Sequence, residues 1–327
     1  MSLLARIGVL YAIAPRTIER IPRGTDTQNW RIDTDDASYF LKVYSARSDR
    51  ADDRATLELA MRAHAAGIRT PRVVPDRDGN LLADDAYALF DFVDASPLPQ
   101  LSIAQMADAG TELARIHRAF ADLAATLPPR SPAWLEPDVE AKRAQLDHYR
   151  ALIEARVPRD EFDDATLALL PRHRALLANV PRLIDELAGA RAQVLHGDYS
   201  IQNVLFDRDG RLAAVVDFGP PESFLIAYEL GRIAFPPDHV VRAGWFERGH
   251  ALLVAYRDAY PGRELDVRCA PIAWLVHLMR SVYGLEQHYG TRVEFQDQLD
   301  RYWLARARAT EILFDQLPAI VGALAGR

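Results

Sequence analysis

Residues 1–93 read as a small sheet with one helix. In SYFLKVY (38–44) Tyr39, Leu41 and Val43 face one way, and Phe40, Lys42 and Tyr44 the other. WRIDT (30–34) precedes it across Asp35 and Asp36, turn residues that predict a hairpin. From Ala51 to Ala66 the apolar positions Leu57, Ala60, Met61 and Ala65 recur at helical spacing, with Gly67 as the stop. RVV (72–74), NLLA (80–83) and AYALFDFV (86–93) are predicted as further strands, with Asp78-Gly79 as a turn. The opening MSLLARIGVLYAIAP lacks the basic region and cleavage site of a signal peptide and is expected to pack as a first helix.

After Val93 the pattern changes. ASPLPQ (95–100) is a connector, and 105–123 places Met106, Leu113, Ile116, His117 and Phe120 on one helical stripe. Helical segments run to about residue 188, broken by the Pro-rich stretch 128–137. QVL (193–195), NVLF (203–206) and LAAVVDF (212–218) are short strands, the last two joined through Asp209-Gly210. From Ala227 onward the spacing is again helical. The expected organisation is α+β: an N-terminal lobe over 1–93 and a mainly helical C-terminal lobe over 94–327.

Composition narrows the classes. With 49% hydrophobic and 26% charged residues, the 327-residue chain is ordinary globular protein. No run of 18 apolar residues predicts a membrane span. The one cysteine, Cys269, fits a reducing cytoplasm, and no Cys/His spacing suits zinc. A net charge of −7 argues against nucleic acid and suits a neutral or cationic small partner. Of 39 basic side chains only Lys42 and Lys142 are lysines. A lysine inside an apolar strand is therefore a pointed choice, since arginine's flat fork does not replace a compact ammonium at a phosphate.

HGDYSIQNVLF (196–206) and VVDFG (215–219) carry the chemistry. Phosphoryl transfer needs a held triphosphate, divalent cations and a carboxylate aimed at the attacking hydroxyl. Asp198 follows a strand and opens a loop, from which it can accept a hydroxyl proton. Asn203 opens the next strand with an amide oxygen suited to a hard cation. Asp217 ends the return strand and can bridge Mg²⁺ to phosphates. His196 reads as a structural brace of the loop.

These segments resemble the superfamily of aminoglycoside phosphotransferases, choline kinases and homoserine kinases. The resemblance implies a bilobal protein-kinase-like fold, Asp198 as catalytic base, and Asn203 and Asp217 as metal ligands. It implies that Lys42 contacts the α- and β-phosphates, with Glu58 on the following helix as partner; the competing reading of Glu58 is a surface pair with Arg54 or Arg62. AYELGRI (227–233) sits where the family has tyrosine-aspartate-leucine, so Glu229 stands in for the aspartate that supports the catalytic loop. Among relatives the homoserine-kinase branch looks closest.

RGTDTQNW (23–30) would cover the phosphates, with Thr25, Thr27 and Asn29 contributing; an ordinary hairpin turn explains it nearly as well. Adenine is expected against Leu41 and the hinge Asp91, Phe92 and Val93. ATP is the expected donor, with GTP as the variant, and Mg²⁺ the cation. For the acceptor, a small hydroxyl compound such as an amino alcohol, amino sugar or antibiotic, the candidates are Glu222, His277, Arg280 and Glu286; Trp274 and Tyr283 read as core. No A-P-E segment follows Asp217, which disfavours a protein kinase. An inactive pseudokinase would lack Lys42, Asp198, Asn203 or Asp217, and all four are present. A metal-dependent hydrolase explains neither Lys42 nor Asn203. A monomer or homodimer is expected.

Overall fold

The computed structural model describes residues 1–22, 27–126, 135–136, 138–293 and 295–326. In chain order the elements are α1 (Leu3–Tyr11), β1 (Thr17–Ile21), β2 (Thr27–Asp33), β3 (Ser38–Tyr44), α2 (Arg50–Ala65), β4 (Val73–Val74) and β5 (Tyr87–Asp91). Then come α3 (Ile103–Phe120), α4 (Val139–Glu154), α5 (Glu161–Leu176), α6 (Val180–Asp185), β6 (Ala192–Val194), β7 (Val204–Phe206), β8 (Leu212–Val215) and β9 (Ser223–Leu225). The chain finishes with α7 (Ile226–Ala234), α8 (Pro237–Val240), α9 (Trp245–Ala259), α10 (Glu264–Arg280), α11 (Leu285–Tyr289) and α12 (Gln296–Ala325). The expected α+β class holds: an antiparallel sheet near the N-terminus, then mainly helix. Among the described residues no helix is long and apolar enough to cross a membrane.

Contacts divide the chain into two compact units, and not by chain order. The first is Met1–Pro99 with Arg115–Ala125 and Val194–Glu222; the second is Gln100–Ala114, Thr126–Gln193 and Ser223–Arg327. The β7–β8 hairpin thus belongs with the N-terminal sheet, whereas the expected boundary at 93/94 assigned it to the C-terminal lobe.

The first unit is built on a five-stranded sheet ordered β1-β2-β3-β5-β4, with antiparallel neighbours. Alternation in β3 works as expected: Leu41 is fully buried among Ile7, Tyr11, Ile32 and Leu89, with Tyr39 and Val43 packed against them. The opposite face of β3 carries Lys42, whose ammonium lies 5.8 Å from the Tyr44 ring, and Phe40, edge-on to Phe90 at 6.2 Å. Helix α2 starts at Asp49, whose carboxylate accepts the N–H groups of Ala51 and Asp52. Its buried face is Leu57, Leu59, Ala60 and Ala63; Met61, expected inside, is 40% exposed.

Two strands differ from expectation. NLLA is no strand: Asp76 accepts the N–H groups of Asp78 and Asn80, and this turn outcompetes a ladder. β1 was not foreseen, because TIERI is mostly exposed and has no clean alternation.

In the second unit α7 lies so close to α10 that a Cβ on Gly231 would stand 2.3 Å from the Ala270 carbonyl oxygen. Trp274 is buried and donates its indole N–H to the Phe235 carbonyl at 2.8 Å, as a core tryptophan should. The helical spacing expected from Ala227 onward is interrupted after Arg280. α10 ends at Arg280, Ser281 is extended, and Gly284 takes φ +105° before α11 starts.

Candidate active site

The four residues singled out for phosphoryl-transfer chemistry, Lys42, Asp198, Asn203 and Asp217, lie in the first unit. His196 is fully buried, its ring stacked on Phe218 at 4.3 Å. Its Nδ1 accepts the Asp198 N–H at 3.2 Å, so Nε2 carries the hydrogen and donates to the Val216 carbonyl at 3.1 Å. One imidazole therefore ties the loop before β7 to the segment that follows β8. A second tie runs from the Gly219 N–H to the His196 carbonyl at 2.8 Å. Gly197, at φ +88°, makes this approach possible: a Cβ there would stand 3.1 Å from the Gly219 Cα.

Asn203 fixes the loop from the other side. Its Nδ2 donates to the Asp198 carbonyl at 2.9 Å and to the Asp198 carboxylate at 2.8 Å. With its amide nitrogen turned to Asp198, its Oδ1 points away as a hard oxygen donor. The Val216 N–H binds the Asn203 carbonyl at 2.9 Å, which brings the end of β8 and Asp217 back beside Asn203. Asp217 takes φ +67°, a left-handed conformation that aspartate tolerates better than most side chains.

Lys42 completes the group. It sits on β3 in the middle of the sheet, between Asn29 of β2 and Ala88 of β5. Its ammonium lies 2.5 Å from the Asp217 carboxylate; the lysine side chain is 17% exposed and the aspartate 50%. Asp198, Asn203, Asp217 and Lys42 thus form one connected set of a loop carboxylate, an amide, a second carboxylate and a compact cation. Asn203 Oδ1 and Asp217 are oxygen donors of the kind that could hold Mg²⁺.

Several expected neighbours are elsewhere. Glu58 is exposed on α2, and Lys42 pairs with Asp217 in its place; Arg54 pairs with Asp85. The α2 carboxylate that turns inward is Asp53, 11% exposed and held by Ser48 and Arg50. It lies near Tyr44, whose phenol is pushed up by burial first, then by Asp53 and Asp217. Leu41 is fully buried on the opposite face of β3 from Lys42 and has no surface for adenine; Phe40 occupies the Lys42 face.

Thr27 and Asn29 are part of β2 and not a loop, with the Thr27 hydroxyl donating to Asn29 Oδ1 at 3.2 Å; Thr25 lies outside the described residues. In the hinge, Asp91 pairs twice with Arg72 at 3.0 Å. Phe92 lies under the Arg31 guanidinium at 4.5 Å and donates its N–H to Ser38, while the Val93 carbonyl accepts from Ala95.

The remaining candidates do not form one group. Glu222 is half-buried at the end of the first unit. In the second unit Glu229 is buried on α7. His277 stacks on Trp274 at 5.0 Å and meets Tyr228 edge-on at 5.3 Å. Burial, then Arg306 and Arg232, push its imidazole down to about 3, so it is neutral at physiological pH. Arg280 is buried and donates to the Glu136 carbonyl, and desolvation lowers its pKa. Glu286, exposed on α11, accepts from Gln145 at 2.9 Å. Tyr283, expected in the core, is 43% exposed.

Asp160, Asp163 and His288 present ligand atoms within 4.8 Å of one another. Asp163 is already answered by the Tyr289 hydroxyl and Arg156, and His288 by Asp300.

Residues 17–267 match the phosphotransferase enzyme family, APH. The homoserine kinase of Azorhizobium caulinodans is 26% identical over 266 residues, 77% of this chain and 74% of that protein. That of Gluconacetobacter diazotrophicus is 29% identical over 276 residues, 80% and 78% of the two chains. Among solved structures, a spectinomycin phosphotransferase in complex with ADP and spectinomycin is similar, with a TM-score of 0.64 at 19% identity over 95% of this chain and 98% of that one.

Proposed function

The chain belongs to the phosphotransferase enzyme family and is a small-molecule kinase; we propose that Mg²⁺-ATP is its donor and that the side-chain hydroxyl of homoserine is its acceptor. The observation that carries the chemistry is the connected set in which Asn203 holds Asp198 at 2.8 Å and Lys42 meets Asp217 at 2.5 Å. The acceptor is supported by the homoserine kinases to which the chain is similar along most of its length. No observation favours an inactive binding module.

Asp198, aimed by Asn203, takes the proton of the attacking hydroxyl; a base positioned in this way contributes roughly 10²–10⁴ to rate. Asn203 Oδ1 and Asp217 would hold Mg²⁺, which when bound neutralises charge developing on the transferred phosphoryl group. Lys42 now neutralises Asp217 and would exchange that partner for the α- and β-phosphates. His196 keeps the loop carrying Asp198 against the segment carrying Asp217, so base and metal ligands are positioned together.

The test is ADP release from ATP and Mg²⁺ with homoserine, serine, choline, an amino sugar and spectinomycin offered in parallel. Homoserine should give the highest kcat/KM, with phosphate on its side-chain oxygen by ³¹P NMR. Turnover on another member of the panel with none on homoserine would overturn the acceptor and leave the kinase chemistry standing.

A further inference from the structure

Lys42 and Tyr44 stand two residues apart on β3, so their side chains leave the same face of the sheet. The Lys42 ammonium lies 5.8 Å from the centre of the Tyr44 ring and 2.5 Å from the Asp217 carboxylate. Among the described residues, these two groups are the ones that answer its charge. The face of an aromatic ring carries the negative side of its quadrupole and attracts a cation within about 6 Å of its centre. The attraction grows where water is excluded, and the Lys42 side chain is 17% exposed.

The two partners differ in what they do during turnover. Asp217 is the carboxylate proposed to turn to Mg²⁺, and once it does the ring is what remains beside the lysine. A lysine has a flexible four-carbon stem, so an ammonium without a neighbour samples many positions before it meets a phosphate. Tyr44 is placed to prevent this. Its N–H donates to the Ala86 carbonyl at 2.9 Å, which fixes the strand beneath it. Burial first, then Asp53 and Asp217, raise the pKa of its phenol, so the hydroxyl keeps its proton and the ring meets Lys42 as a neutral face.

We propose that Tyr44 is a positioning residue for the phosphate donor: the face of its ring holds the Lys42 ammonium ready for the α- and β-phosphates when Asp217 turns to the metal. The inference rests on the reading of Lys42 as the residue that contacts those phosphates. It gives the work to the ring and none to the hydroxyl, and it requires no contact between Tyr44 and the nucleotide.

The experiment measures Mg²⁺-ADP and adenosine binding by calorimetry in the full chain. Adenosine lacks phosphates and reports whether the rest of the site is intact. Tyr44→Leu should weaken ADP about tenfold, the scale of a partly desolvated cation–ring contact, and leave adenosine within about twofold. Tyr44→Phe keeps the ring face and should restore ADP affinity. In the Lys42→Met background the leucine substitution should weaken ADP no further, because no ammonium is left to hold. In turnover, the leucine variant should raise KM for ATP by about tenfold with kcat nearly unchanged. Tyr44→Met serves if the leucine variant does not fold. A phenylalanine variant as weak as the leucine variant, an equal loss for adenosine, or a full loss in the Lys42→Met background overturns the assignment. Lys42→Met binding ADP as the wild type does overturns the reading of Lys42 on which the assignment depends.

Discussion

Asn203 donates to both the carbonyl and the carboxylate of Asp198, so one side chain sets the direction of the proposed base and leaves its own oxygen for a cation. Asp198→Asn keeps the size and the loop and removes the proton acceptor. Its turnover should fall by about 10² or more with an unchanged melting temperature; near-normal turnover would exclude Asp198 as the base. A second residue-level prediction concerns α2. When Lys42 turns to the phosphates, a carboxylate beside it would hold it in place, and Asp53 is the inward-turned carboxylate of α2 that lies near Tyr44. Asp53→Asn should raise KM for ATP by about tenfold, roughly 1.4 kcal/mol, while Glu58→Gln should leave it unmoved. The reverse result would restore Glu58 as the partner. Lys42 was legible because lysine is so rare in this chain. Asp53 was not: the face of α2 was drawn through Met61, which is exposed, when it runs through Ala63, which is fully buried.

Elements decide which of these residues meet. The loop before β7 and the segment after β8 approach so closely that a Cβ on Gly197 would stand 3.1 Å from the Gly219 Cα and one on Gly219 3.4 Å from the Gly197 Cα. Gly197→Ala adds a Cβ at φ +88° and presses it on that backbone, so it should cost at least about 1–2 kcal/mol in stability and lower kcat by displacing Asp198. Thermal unfolding and steady-state kinetics on the same sample check both; a variant with wild-type melting and turnover would show that the contact is slack. The hairpin, β3 and β5 could be read in the sequence because strand-length apolar runs lay between turn residues. The break after Arg280 could not be read: apolar spacing continues through Val282 and Leu285 while Ser281 and Gly284 redirect the backbone. NLLA failed for the opposite reason, a local carboxylate turn overriding an apolar run.

At the scale of the molecule, the chain divides by contacts and not by its order, and each unit has its own physics. The first holds the proposed phosphoryl-transfer residues; the second holds two imidazoles, His173 and His277, whose lowered pKa values should shape its behaviour in acid. His173 is pushed down to about 4 by burial, with its hydrogen bond to the Met279 carbonyl opposing and Arg306 reinforcing the shift. His277 is pushed down to about 3 by burial and then by Arg306 and Arg232. In the unfolded chain both titrate near 6.5. Between that pH and about 4 the unfolded state therefore binds more protons than the folded one. Stability is complete above about 6.5 and falls as pH falls, by up to about 1.4 kcal/mol per pH unit for each histidine. Urea unfolding at pH 7.5, 6.0 and 5.0, followed by tryptophan fluorescence, should show this slope. His173→Phe keeps the bulk and removes one titrating group. Whatever it costs in absolute stability, it should flatten the dependence between pH 6.0 and 5.0 by close to one proton's worth. An unflattened slope would mean that His173 takes up its proton inside the folded protein, near the buried guanidinium of Arg306.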